Sequence, residues 1–270
     1  MSKKNLILRP PFDQAWKNKD PFVEMESLGG ESYRNVKTRD TSRFDFQGKS
    51  YFIKRHYGTT LGEVLKNLLT LKMPVLGADC EWNAIHHLES VGVDSMKGVA
   101  FGQQGWNPLK RKSFIITEDL SPVMQLDHFF ASKEAKNISY EQRLAIIERV
   151  AQMLRNMHLS GLNHRDCYLC HFLLRMPFTN AANMKIFLID LHRAQIRRTV
   201  PRRWRDKDLI ALYYSTLDLG FSQKEVFRFM KIYFGMSLRD IFQTEDKLLR
   251  KVKKKVAKIH SHTLKLGDKP

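Results

Sequence analysis

Residues 161–191 read GLNHRDCYLCHFLLRMPFTNAANMKIFLIDL, and two acidic side chains stand at the turning points of this stretch. Asp166 closes the triplet His164-Arg165-Asp166, and Asp190 ends the apolar run Ile186–Ile189. Ahead of the stretch, Ser139 with Gln142 three residues on forms a capping box. Tyr140, Leu144, Ile147, Ala151, Leu154 and His158 then line one helical face until Gly161 stops it. The triplet is therefore the start of a loop that leaves a well-specified helix. Within the stretch, His171–Leu174 and Ile186–Ile189 are two short apolar runs joined by a loop containing Pro177 and Asn180. Either aspartate alone reads as an ordinary loop cap, and it is their joint occurrence that singles the segment out.

Upstream the pattern is strand-rich. Phe44, Phe46, Tyr51, Phe52 and Ile53 flank the turn Gln47-Gly48-Lys49, which predicts two antiparallel strands, the second ending at Lys54. Leu61, Val64, Leu65 and Leu68 have helical spacing within Thr59–Leu71. Asp79–Leu88 predicts a second short helix with Asp79 as N-cap, Pro74 and Gly77 separating the two. A further strand pair in Gly98–Leu120 runs into Glu118-Asp119-Leu120, a crossing point between halves. Downstream of Asp190 the pattern is helical. Strands first and helices after predict an α+β chain of two lobes, a strand-rich lobe over 1–119 and a mostly helical lobe over 120–270.

Composition bounds the partners. Apolar residues make up 43% of 270, with 17 Phe and 4 Trp, enough for burial to offset the entropy of folding. Against 28 acidic residues stand 46 Lys and Arg, a net charge of +18 that attracts polyanions: nucleic acid, an anionic membrane, a phosphorylated glycolipid or an acidic protein. Neither an aromatic-basic motif of the RRM type nor zinc-finger spacing is present, so nucleic acid is not the expected partner. No apolar run approaches the roughly 18 residues of a bilayer span, and MSKKNLILRPPF lacks a signal-peptide core. Three cysteines give no disulfide framework. The expected location is the cytoplasm.

Several side chains suit phosphoryl transfer, in which positioning and electrostatics supply most of the catalysis. Lys54 at a strand end offers an ammonium to phosphate oxygens, and Glu81 on a helix can aim it; a surface lysine and a solvated glutamate would read the same. Asp166 is the candidate base, and Asp190 offers the hard oxygen that magnesium prefers. Cys167 and Cys170 beside His164 and His171 suggest zinc, but all four fall in one short segment and no second C-x-x-C exists. Cys80 reads as a small buried or neutral residue and His158 as a core histidine.

The segments MPVLGADCEWNAIHHL, SFIITEDL, NHRDCYLCHFLL, FLIDLHRAQ and VPRRWRDKDLIALYYS are long and idiosyncratic. Through them the chain resembles, over nearly its whole length, the bacterial lipopolysaccharide core heptose(I) kinases, the WaaP/RfaP family of the protein-kinase-like superfamily. The resemblance implies a kinase fold that moves phosphate from ATP, with Mg2+, to position 4 of the first heptose of the inner core. It implies Lys54 held by Glu81 on the phosphates, adenine at the backbone of Glu118 and Leu120, phosphate near Gly29 and Gly30, Asp166 as catalytic base and Asp190 on the metal. Where the superfamily has Asn and Asp-Phe-Gly, this chain has His171 and Asp190-Leu191-His192, so His171 stands at a metal position with an imidazole that suits magnesium poorly. The missing Gly and Ala-Pro-Glu argue for an enzyme not switched by activation-loop phosphorylation.

Asp208 resembles the aspartate that braces the catalytic loop, with Asp206 close enough to take its place. Arg197, Arg198, Arg202, Arg203 and Arg205 follow the metal site, where an anionic acceptor, lipid A with Kdo sugars and heptose, would be gripped by guanidinium forks. Near the C-terminus Leu248, Val252, Val256 and Ile259 alternate with lysines, an amphipathic pattern for peripheral contact with the anionic cytoplasmic face of the inner membrane or for packing. The resemblance also implies acyl carrier protein as a partner. A kinase for Kdo or a second heptose, a nucleic-acid binder and a non-catalytic kinase-like scaffold are the alternatives.

Overall fold

The computed structural model describes residues 4–36, 38–58, 77–107 and 109–267. The helix expected over Thr59–Leu71 lies outside them. The chain forms two compact units, Met1–Ser121 with Leu188–Gln195, and Pro122–Phe187 with Ile196–Pro270.

The first unit is built on a six-stranded antiparallel sheet in the order β1-β5-β6-β4-β3-β2. Its strands are β1 (Lys4–Leu8), β2 (Glu31–Val36), β3 (Arg39–Phe46), β4 (Lys49–Tyr57), β5 (Gly98–Gln104) and β6 (Lys112–Glu118). The expected hairpin is β3–β4. Gln47 and Gly48 form its two-residue turn with φ of +48° and +76°, the doubly positive pair that matches strand twist. β4 does not end at Lys54 but runs on to Tyr57. Arg55 and His56 hide this in the sequence because polar residues there are buried: Arg55 donates to the carbonyls of Met25 (2.8 Å) and Leu28 (2.5 Å) and pairs with Asp40.

One face of the sheet packs Phe44, Tyr51, Ile53, Phe114 and Ile116 against Phe12 and Trp16 around α1 (Phe12–Ala15) and Phe22 and Met25 of α2 (Pro21–Ser27). Asp20 caps α2 through the Phe22 amide and Pro21 presets its first turn. Because strand side chains alternate, Lys54 faces away from this core, toward α3 (Asp79–Ser90). Asp79 is the first residue of α3 rather than its N-cap; Ala78 holds that position and donates its N–H to Ser113 Oγ. The segment Leu188–Gln195 packs on α3, with Ser95 bridging Leu188.

The second unit holds the short strand β8 (Leu162–Asn163) and a small sheet of β7 (Val123–Gln125), β9 (Phe172–Arg175) and the start of β10 (Ile186–Leu188), the two apolar runs of the sequence having become strands. Around it lie α4 (Leu126–Ala131), α5 (Tyr140–Leu159), α6 (Arg202–Tyr214), α7 (Gln223–Phe234), α8 (Leu238–Thr244) and α9 (Asp246–Gly267). Both halves of the Ser139–Gln142 capping box are formed, and α5 buries Ile147, Ala151, Leu154 and His158, while Tyr140 at its start is exposed. Gly161 has a φ of +93°, and a Cβ there would meet the Arg197 carbonyl at 1.8 Å. Glycine thus both stops α5 and admits the backbone at Arg197.

Candidate active site

In the first unit, Lys54 Nζ donates to Glu81 Oε1 at 2.6 Å, and Glu81 is 1% exposed. Glu81 Oε2 is buried and makes no hydrogen bond among the described residues. A carboxylate so buried is tolerable only with its cation in place, which fixes where the ammonium sits. Arg39, Lys54, His56, Glu81, Asp190 and His192 line one pocket of this unit. Asp190 adopts a left-handed φ of +62° at the entry to a short 3-10 turn, Leu191–Arg193. His192 Nδ1 reaches back to Asp190 Oδ1 at 2.5 Å and fixes its rotamer.

His56 was not singled out from the sequence, although period-two alternation puts it on the Lys54 side of β4. Burial first, then the charges of Arg39, Lys54 and His192, push its imidazole down to about 3, so it is neutral at physiological pH.

Glu118 and Leu120 lie at the end of β6. Lys97 pairs with Glu118 at 2.9 Å, and Asp119 is anchored by Arg43 Nε at 2.8 Å and by the Ser121 amide. The Leu120 N–H makes no hydrogen bond among the described residues. Gly29 and Gly30 are not among the pocket residues. They precede β2 at the end remote from Arg39, where Gly30 lets the backbone approach the Arg43 carbonyl, on which a Cβ would sit at 1.9 Å.

In the second unit, Asp208 is fully buried and accepts the backbone N–H groups of His164 (2.7 Å) and Arg165 (2.8 Å). These bonds hold the loop that presents Asp166, so Asp208 and not Asp206 is the brace. Asp206 instead pairs with Arg205 (2.9 Å) and Lys251 (2.8 Å). His158 joins Asp208 to the Tyr233 hydroxyl, a satisfied core histidine, and burial pushes the Tyr233 phenol up. His171 Nδ1 lies 2.7 Å from the Asp166 carbonyl, which can only accept, so Nδ1 carries a proton. The ring stacks on His164 with centroids 5.5 Å apart.

Cys167 is buried and its thiol is pushed well up by burial, with Asp208, Cys170 and Asp166 adding to the effect. Such a thiol is a poor zinc ligand. Among the described residues no three His, Cys, Asp or Glu side chains gather around a metal position. Cys80 is exposed rather than buried, because it falls on the outer face of α3.

The five candidate acceptor arginines separate by partner. Arg205 and Arg202 both bind Glu245, Arg205 through two contacts at 2.9 and 2.5 Å. Arg197 donates to Asn163 Oδ1 at 2.6 Å. Arg198 and Arg203 are exposed and have no ion pair among the described residues. Trp204, which the sequence offered only as part of the basic run, is a hub: the cations of Arg165, Arg197, Arg203 and Lys207 lie 5.1 to 6.0 Å from its ring.

Residues 23–233 match the model of the lipopolysaccharide kinase (Kdo/WaaP) family. The chain is 54% identical, over 96% of its length and 98% of the relative, to the lipopolysaccharide core heptose(I) kinase WaaP of Escherichia coli. It is 43% identical, over 97% and 98%, to the protein of that name from Pseudomonas aeruginosa. A solved structure described as WaaP in complex with acyl carrier protein superposes with a TM-score of 0.83 at 39% identity, covering 94% of this chain and 98% of that one.

Proposed function

The chain belongs to the lipopolysaccharide kinase (Kdo/WaaP) family, and from that premise we propose that it transfers the γ-phosphoryl group of ATP to the 4-hydroxyl of the first heptose of the lipopolysaccharide inner core. It is a kinase of the lipopolysaccharide core with an α+β kinase-like fold. The observation that carries the reading is the buried Lys54–Glu81 ion pair in one pocket with Asp190.

The residues present fit a nucleotide with its cation. A hard ion that arrives on phosphates needs only one or two protein carboxylates, and Asp190, oriented by His192, offers one. Bound ATP supplies the phosphoryl group, and its Mg2+ neutralises charge on the phosphate oxygens. Lys54, aimed by Glu81, holds phosphate oxygens, and Leu120, with the Glu118 backbone, offers main-chain groups to adenine. Asp166 receives the proton of the attacking sugar hydroxyl. His171 keeps the Asp166 backbone in place through Nδ1 and presents Nε2 to phosphate or a second cation. Arg198 and Arg203, with Arg197 beside them on Trp204, grip the anionic groups of the acceptor. Arg202 and Arg205 hold Glu245 and serve the fold.

The relative solved with acyl carrier protein supports the same partner here, since the basic surface of a +18 chain complements an acidic carrier. No helix among the described residues is long and apolar enough to cross a membrane. The reading includes peripheral contact with the cytoplasmic face of the inner membrane.

Labelled ATP and Mg2+ offered with a panel of truncated core acceptors test the proposal. Label should enter acceptors that carry the first heptose and not those ending at Kdo, and Asp166→Asn should abolish transfer while leaving the melting curve in place. Transfer to Kdo-terminated acceptors, or undiminished transfer by Asp166→Asn, would overturn it.

A further inference from the structure

The C-terminal helix α9 is one candidate for a membrane contact, and part of its described portion packs on protein. Leu248 is 4% exposed, and Lys251 is bonded to Asp206. A different surface has the chemistry that a bilayer interface recognises: the loop joining β5 to β6 in the first unit.

Trp106, at the tip of this loop, is 79% exposed. Leaving an indole in water costs free energy, and here the loop is pinned so that the indole stays there. Arg111 reaches the carbonyls of Gly105 and Trp106, each at 3.3 Å, and Asn107 Oδ1 accepts the Leu109 amide at 2.9 Å. Gly58, with a φ of +80°, receives the loop so closely that a Cβ there would stand 2.2 Å from the Leu109 carbonyl. A segment anchored at four points could have folded the ring inward against α2; it presents the ring to solvent instead.

The loop's own charge has one sign. From Gln104 to Lys112 the sequence QGWNPLKRK contains three cations and no carboxylate. Lys112 meets Glu26 in an exposed pair, and Lys110 is exposed. Beside the loop Val23 of α2 is 63% exposed, extending the apolar surface next to the indole. Gln104, Gly105, Lys110 and Lys112 share a shallow groove with Phe22, Val23 and Glu26, whose single carboxylate is met by Lys112.

We propose that the β5–β6 loop is a docking tip for an anionic lipid surface, with Trp106 entering the headgroup region and Lys110, Arg111 and Lys112 meeting lipid phosphates. Tryptophan is favoured at that depth because its ring is apolar with one polar edge, and each nearby cation adds attraction to an anionic leaflet. An acidic protein would answer the cations but would need a separate pocket for the indole, whereas a bilayer interface takes both at once. The inference goes beyond the phosphotransfer reading and does not depend on it.

The test uses the full chain and vesicles of equal parts phosphatidylglycerol and phosphatidylethanolamine, with phosphatidylcholine vesicles as the neutral comparison. The wild type should sediment with the anionic vesicles and not with the neutral ones. Trp106→Ala should weaken that binding roughly tenfold, and Lys110→Gln by about fivefold, with melting temperature and phosphate transfer to detergent-dispersed acceptor unchanged. Brominated lipid should quench part of the wild-type tryptophan emission, and that part should vanish in Trp106→Phe. Failure of the wild type to bind anionic vesicles, equal binding by Trp106→Ala, or quenching that survives in Trp106→Phe would each overturn the proposal. So would a Trp106→Ala variant that keeps vesicle binding and loses binding to acyl carrier protein, since the loop would then face a protein.

Discussion

Replacing Asp208 by Asn removes one negative charge and almost no volume, and the structure says what that charge does. Two main-chain N–H groups, from His164 and Arg165, converge on its oxygens at 2.7 and 2.8 Å in a fully buried setting, and the His158 imidazole stands at 3.3 Å. An amide keeps one acceptor oxygen and turns the other into an NH2 that faces a donor. Hydrogen bonds to a charged group contribute about 1.5–3 kcal/mol, and a buried donor left unsatisfied costs about 1–3 kcal/mol. With one bond weakened and one lost, Asp208→Asn should destabilise the second unit by about 3 kcal/mol. The kinetic effect should exceed what stability alone gives, because the two N–H groups belong to the residues directly before Asp166. A displacement of that carboxylate by about 1 Å costs roughly a hundredfold in rate. Urea denaturation followed by circular dichroism reads the first quantity, and single-turnover transfer of labelled phosphate, below the unfolding range, reads the second. KM for ATP should stay within about twofold, since the loss falls on the chemical step. Asp206→Asn is the control: its partners are Arg205 and Lys251, so it should lose about 2 kcal/mol and keep its turnover. A folded Asp208→Asn enzyme turning over at the wild-type rate, or an Asp206→Asn enzyme that is the slower of the two, would refute the assignment of the brace.

Two further substitutions separate binding from folding in the basic cluster. Arg203→Ala should leave the melting temperature unchanged and raise KM for the acceptor about tenfold, whereas Arg205→Ala strips Glu245 and Asp206 of a shared cation and should cost about 3 kcal/mol of stability; a stability loss in the first or a KM effect alone in the second would contradict the sorting. His56 predicts a pH dependence. Its imidazole falls from 6.5 in the unfolded chain to about 3 in the folded one, so the unfolded chain binds the extra proton between those values. Its contribution to stability is therefore whole above pH 6.5 and drains as the pH falls toward 3. Between pH 7 and about pH 5 the wild type should lose roughly 2 kcal/mol more than His56→Gln, and parallel stability curves for the two proteins would show that the group is not buried as described.

What the sequence made legible follows from which physical signals are local. The capping box at Ser139, the Gln47-Gly48 turn and the apolar runs that became β9 and β10 each depend on a few consecutive residues, and the structure contains all of them where the pattern put them. The misplaced strand end is of another kind. Arg55 and His56 look like the solvated end of β4 because a buried cation and a buried imidazole leave no apolar mark. What buries Arg55 is a set of carbonyls at Met25 and Leu28, about thirty residues distant in sequence, which no local window contains. The same reasoning separates the arginines. Arg202, Arg203 and Arg205 are equivalent as letters, and only the position of Glu245, some forty residues on, decides that Arg202 and Arg205 pair with it while Arg203 has no ion pair among the described residues. At Gly30 the structure adds a backbone requirement that composition does not state, a close approach to the Arg43 carbonyl. Lys54 and Glu81 escape this limit because the motif carrying them encodes a distant pairing in a recognisable pattern, and a hydrogen bond of 2.6 Å closes it. Where a candidate role rests on main-chain groups, as proposed at Leu120, or on a cation sorted by its neighbours, as at Arg203, residue type alone carries little signal for a physical reason: every residue has the same backbone, and a guanidinium takes its role from whatever stands opposite it.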